Sequence, residues 1–119
     1  VPVGEPQTGP DKTVPAVAEI SREIVRLHSC LYGRGPTRAK TIWRDDIVTC
    51  VLEDAFAKAE VVLAESGRFE QVRSNRQVFN DEVAPQMHEI VEAATGRRVK
   101  SSLSQIAPGG VVAEVFLLL

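Results

Sequence analysis

Apolar residues at Val17, Ile20, Ile24, Leu27 and Leu31 recur at helical spacing, after Thr13 as a candidate N-cap and Pro15 in a first turn. This predicts a helix over about residues 14–32. Gly33 is placed to close it in the left-handed conformation, and Pro36 disfavours helical geometry at Gly35, so the chain is steered into a strand. From residue 38 the period drops to two. Ala39, Thr41 and Trp43 alternate with Arg38, Lys40, Ile42 and Arg44, and the β-branched run Ile47 to Leu52 follows Asp45-Asp46. A two-residue turn at the aspartates pairs Trp43 with Val48, Thr41 with Cys50 and Ala39 with Leu52. Those six share one face, the core candidate.

The helical pattern returns with Val61, Val62 and Ala64 in a short element that Gly67 interrupts. In the longer helix after it, Phe69, Val72, Phe79, Val83, Met87, Ile90 and Ala94 fit one stripe. Arg68, Glu70, Arg73, Arg76, Glu82, Glu89 and Glu92 mostly fall outside that stripe. Pro85 is expected to bend this helix, and Thr95-Gly96 to stop it. The remainder reads as a second hairpin that turns at Ala107-Pro108-Gly109-Gly110.

The order α-β-β-α-α-β-β predicts an α+β two-layer sandwich, a four-stranded antiparallel sheet with helices mainly on one face. The long helix is expected to cross the sheet, with Trp43, Val48 and Leu52 turned toward it. Residues 111–119 are apolar on both faces, which calls for a central strand or a subunit contact. A symmetric homodimer is the simplest cover for the second apolar set, the competing cover being residues 1–13 or a helix folded behind the sheet within one chain.

Residues 1–13 hold three of the seven prolines and two of the eight glycines, a composition suited to a flexible tail before a single domain over 14–119. Fourteen basic against sixteen acidic residues leave a net charge of -2, and the cations are interspersed with acids, which argues against a general phosphate-backbone binder. Cys30 and Cys50 stand far apart in apolar surroundings, as in a reducing, cytoplasmic setting. No stretch is apolar for long enough to insert in a bilayer.

Site chemistry is sparse. "GRGP" matches neither dinucleotide fingerprint nor Walker loop, and it leads into a strand where those lead into a helix. His28, Cys30, Cys50 and His88 lack metal-ligand spacing, so neither metal nor cofactor is expected. Ser101, Ser102 and Ser104 lie in a strand without a nucleophile elbow. Asp45-Asp46 reads as a solvated turn. The one binding signal is basic: Arg38, Lys40 and Arg44 share a strand face and Arg34 precedes it, a set able to take a carboxylate or phosphate partner unless Glu53, Asp54 or the acidic long helix pairs with it.

With the elements placed, "IVRLHSCLYGRGPTRAKTIWRDDIVTCVLED", "AEVVLAESGRFEQVRSNR" and "IVEAATGRRVKSSLSQI" resemble, in that order, a small bacterial and archaeal family. It is the MpsC-like family, named for a Na+-translocating, membrane-potential-generating system. The resemblance covers about residues 17–117. It carries over Gly33, Gly35, Pro36, Asp46, Gly67, Arg76 and Gly96 as signature positions, most of them structural, and no catalytic site. It implies a soluble partner of membrane systems linked to cation transport, membrane potential and bicarbonate uptake, peripheral to the inner face of the membrane.

Three functions are then in competition. The first is a non-enzymatic accessory protein docking through its sheet edge or basic face. The second is a nucleic-acid or nucleotide binder using Arg34, Arg38, Lys40 and Arg44, which net acidity and a single Trp disfavour. The third is an enzyme using Asp45, Asp46, Cys50 or His28, which no spacing supports.

Overall fold

The structure is a computed structural model that describes residues 13–119; the Pro/Gly-rich segment before Thr13 lies outside the described residues. Its elements are α1 (Thr13–Tyr32), β1 (Arg38–Arg44), β2 (Ile47–Glu53), α2 (Lys58–Glu65), α3 (Phe69–Thr95), β3 (Val99–Ala107) and β4 (Val111–Leu118). The strands form one antiparallel sheet in the order β1-β2-β4-β3, so the α+β sandwich expected from the pattern is the fold.

Turn chemistry sets the register. Asp45 adopts φ 53 in the β1–β2 turn, a conformation that Asp tolerates better than most residues. The resulting pairs are those the alternation predicts: Trp43 with Val48, Thr41 with Cys50 and Ala39 with Leu52. In the second hairpin Gly109 and Gly110 both take φ 84. The sheet then closes through its middle, where Val48 faces Phe116 and Leu52 faces Val112 across β2 and β4. Strand β4 is central, one of the two accounts its apolar character allowed.

One face of this sheet carries the helices. α1 lies over β1 and the edge of β2, α3 lies over β3, and the two helices pack on each other. The long helix therefore does not cross the whole sheet as expected; α1 covers the first hairpin. Trp43 is half-buried there, with its indole N–H donating to the Asp45 carbonyl at 3.1 Å. Ile20, Ile24, Val48, Cys50, Leu52, Val112 and Phe116 fill the interior beside Val72, Met87 and Val91 of α3. Each such aliphatic side chain withdrawn from water contributes roughly 1.5–3 kcal/mol. α3 runs unbroken through Pro85, an exposed position.

The buried stripe of α3 departs from the predicted one. It runs Val72, Arg76, Asn80, Val83, Met87 and Val91, whereas Phe79 is 48% exposed. A second departure lies in α1, where His28 occupies the core face one turn after Ile24. These substitutions of polar for apolar side chains gather in one part of the interior.

Candidate functional site

Among the described residues no element covers the sheet's other face. Successive side chains of a strand point to opposite faces, so the register assigns its rows. Arg44, Ile47, Leu117 and Ser101 lie in one row across the four strands; Ile42, Thr49, Val115 and Leu103 form the next; Lys40, Val51, Ala113 and Gln105 the third. Ile42 is 52% exposed, Ile47 47% and Leu103 58%. A shallow hollow of about 330 Å³ lies on this face between Ile42, Arg44, Asp46, Ile47 and Thr49.

Of the four cations singled out in the sequence, three flank this face. Arg38, Lys40 and Arg44 lie on edge strand β1, and no ion pair joins them to an acid among the described residues. Arg34 does not converge with them. Its guanidinium donates to Asp54 at 3.0 Å and to the Phe56 carbonyl, pinning the segment after β2. That pairing holds the Asp54 carboxyl below the usual carboxylate range. Glu53, at the end of β2, is the acidic side chain among the rows of the open face.

At the positions carried over from the resemblance the structure shows particular backbone conformations and contacts. Gly33 has φ 80, and its N–H donates to the Ser29 carbonyl at 3.0 Å. At Gly35 a Cβ would collide with the Ser29 hydroxyl and crowd Val25. Pro36 is buried. Asp46 accepts from Arg97 at 2.6 Å, and its carbonyl takes the Leu118 N–H at 2.8 Å, tying the first turn to the end of β4. The aspartate pair is thus exposed, but Asp46 is also bonded. Gly67 (φ 82) separates α2 from α3, and Gly96 (φ 74) closes α3.

Arg76 differs from the rest: it is 1% exposed, on the face of α3 where an apolar residue is normal. Its Nε and Nη2 donate to the two Glu60 oxygens at 2.7 and 2.6 Å, and Nη2 also donates to the Ala55 carbonyl at 2.6 Å. The rings of Tyr32 and Phe56 lie 3.5 and 5.5 Å from its guanidinium carbon. Around it sit His28, Asn80 and Glu114, all of them buried. Sequence reasoning missed this cluster. Glu114 breaks the apolar alternation of β4, and His28 lies one turn after Ile24; those two interruptions were its visible traces. Neither forms a metal site: among the described residues no group of three or more His, Cys, Asp or Glu could hold a metal ion.

A family model described as "Na+-translocating membrane potential-generating system (MpsC)" matches residues 16–118, nearly the whole chain. The chain belongs to the MpsC family. No match was found among curated proteins or among solved structures. Among the described residues no helix is long and apolar enough to cross a membrane.

Proposed function

We propose that this chain is a non-enzymatic accessory or regulatory protein of a membrane cation or bicarbonate transport system, acting by protein–protein contact. The family description, with its Na+-linked membrane potential, supports the transport setting. The observation that carries the mode of action is the open sheet face, where exposed Ile42, Ile47 and Leu103 lie beside the row Arg38, Lys40 and Arg44. Apolar centres with a charged rim are the usual anatomy of a contact surface. The charge selects the partner: an acidic, partly apolar cytoplasmic segment of a transporter subunit, steered in by the β1 cations and held by the apolar rows.

The test is cross-linking of the tagged chain in native membranes, with the bound subunit identified by mass spectrometry. Arg38→Glu, Lys40→Glu and Arg44→Glu together should abolish a cross-link that Arg22→Glu, on the far side of α1, leaves intact. The link should weaken with salt and survive nuclease. Equal capture by the triple variant, or capture lost on nuclease treatment, would overturn the reading; the second result favours the nucleic-acid alternative.

A further inference from the structure

Strand β4 turns Val112, Glu114, Phe116 and Leu118 toward the helices, and Glu114 is the one ionisable side chain of that row, 1% exposed. Opposite it stands His28 of α1, equally buried. The Nε2 atom of His28 lies 4.0 Å from Oε2 of Glu114, and neither atom has a hydrogen-bond partner. The other carboxyl oxygen, Oε1, accepts from the Ser104 hydroxyl of β3.

The tautomer of His28 follows from its second nitrogen. Nδ1 lies 3.1 Å from the Ile24 carbonyl, which can only accept, so Nδ1 carries the ring hydrogen and Nε2 presents a lone pair. An ionised Glu114 also presents only lone pairs. Two acceptors then face one another inside the core, each buried without a donor, an arrangement that is costly for both. One proton removes both faults. Bound to Oε2, it makes Glu114 a donor aimed at Nε2, and an approach of about 1 Å gives a normal O–H···N bond.

We propose that His28 and Glu114 form a proton-binding site, which takes one exchangeable proton on Oε2 of Glu114, shares it with Nε2 of His28, and reaches solvent through Ser104. The proton comes from water or a buffer acid and returns to it; one O–H bond forms at Oε2, and the charge of the site changes by one. Ser104 provides the route because its side chain also lines a groove of about 300 Å³ between α3 and β3, with Asn80, Met87 and Ser102. Asn80, 2% exposed and with both amide atoms unpartnered, supplies a polar wall to that groove.

The remaining groups around the pair set its balance. From α1 comes Tyr32; from α3, Arg76; from α2, Glu60, which Arg76 already engages; from β3, the Ser104 hydroxyl; and from β2, the buried Cys50 thiol, opposite Glu114 in register. Burial pushes Glu114 up to about 7, against the opposing pull of the Ser104 hydrogen bond and the Arg76 charge. Burial likewise pushes His28 down to about 4. Burial pushes the Cys50 thiol up to about 11, so it stays neutral. Near neutrality Glu114 is therefore the group that changes, and His28 the fixed acceptor.

Carboxyl-carbon and imidazole-nitrogen NMR on the intact chain tests the site directly. The Glu114 carboxyl signal should titrate with a midpoint near 7, and His28 Nε2 should keep a lone-pair shift across that step while moving with the same midpoint. A Glu114 signal titrating in the ordinary carboxylate range, or a hydrogen found on Nε2 of His28, overturns the proposal. Glu114→Gln copies the protonated form, because its amide donates to Nε2 and its carbonyl accepts from Ser104, so the step in the His28 signal should vanish; a persisting step near 7 overturns the assignment. Ser104→Ala removes a bond that favours the carboxylate and should raise the Glu114 midpoint; an unchanged midpoint overturns the role of Ser104.

Discussion

Arg76 lies over Tyr32, its guanidinium carbon 3.5 Å from the ring centroid, while the edge of the same guanidinium grips Glu60. One side chain thus joins α3 to α1 by stacking and to α2 by a charged, two-pronged bond. Removing it strands the Glu60 carboxylate, which also accepts the Ala57 N–H at 2.7 Å. Arg76→Met is expected to destabilise the fold by about 3 kcal/mol or more in urea unfolding, and Arg76→Lys also substantially, since an ammonium neither stacks nor grips in two places. Adding Glu60→Gln to Arg76→Met should recover part of the loss. A loss below about 1 kcal/mol for Arg76→Met would show that the cation is a bystander.

Gly33 and Gly35 are two residues apart and needed for different reasons. At Gly33 a Cβ would meet nothing within 4 Å, so the requirement is its φ of 80; at Gly35 it is space. Gly33→Ala should cost about 1 kcal/mol, and Gly33→Asn less, since Asn tolerates the left-handed region. Gly35→Ala should be relieved in part by Ser29→Ala, whereas Gly33→Ala should not. Thermal melts of these variants, singly and combined, decide the matter.

The buried pair should leave a signature in stability against pH. The folded His28 value of about 4 lies below its ordinary 6.5, so the unfolded chain binds the extra proton and stability rises with pH between those values. Glu114 at about 7 lies above its ordinary 4.5, so the folded chain holds the extra proton and stability falls as pH rises between them. Each slope reaches at most about 1.4 kcal/mol per pH unit, and the two cancel where the windows overlap. Relative to wild type, Glu114→Gln should expose the rising His28 slope and His28→Gln the falling Glu114 slope. Parallel curves for all three proteins would deny both shifts.

Substitutions on the open face should separate contact from stability. Ile42→Lys and Leu103→Lys replace side chains already half in water and should alter unfolding free energy by no more than about 0.5 kcal/mol; Phe116→Ala in the core should cost about 3–5 kcal/mol.

Self-association through this face, the homodimer suggested by β4, has its own salt dependence. A two-fold stack sets the β1 cations against one another or against β3, with Glu53 the acid available, so the 13.0 kDa chain should pair more readily as salt rises. Docking on an acidic partner should run the other way. Light scattering of wild type and Leu117→Asp reads the first effect: loss of the larger particle in the variant places it on β4, and a constant mass at all concentrations and salts excludes it.

The hairpins were legible because their alternation and turn residues agree: Asp45-Asp46 between two period-two runs leaves one register that buries Val48, Cys50 and Leu52 together. Helix ends were legible at Gly33 and Gly96 for the same reason of local chemistry. Arg76, Asn80, His28 and Glu114 were not, because a charged residue within a helical or strand period reads as facing solvent unless its partners are known. Those partners come from α1, α2, α3 and β4, distant in sequence. Phe79 was misplaced as a consequence: with Arg76 inward, it stands at the surface with its ring edge-on to Tyr32 at 5.8 Å. The basic row was visible in β1 and Asp54 was among the acids expected to compete for it, but that Asp54 takes Arg34 and leaves the other three depends on the turn after β2.

The seam between β2 and β4 joins residues from opposite halves of the chain, whereas each hairpin is closed by a short turn. Loop closure favours the local pairs, so the hairpins can form early and the seam must wait for α2 and α3 to bring them together. Until then both hairpins present an unpaired inner edge, Val48 and Leu52 on one and Val112 and Phe116 on the other. Two nascent chains at close quarters could satisfy those edges reciprocally, each lending its second half to the other. An exchange of that kind would have to open at the junction of α2 and α3, where Gly67 takes φ 82, so the conformation of that one turn bears on whether each chain closes on itself.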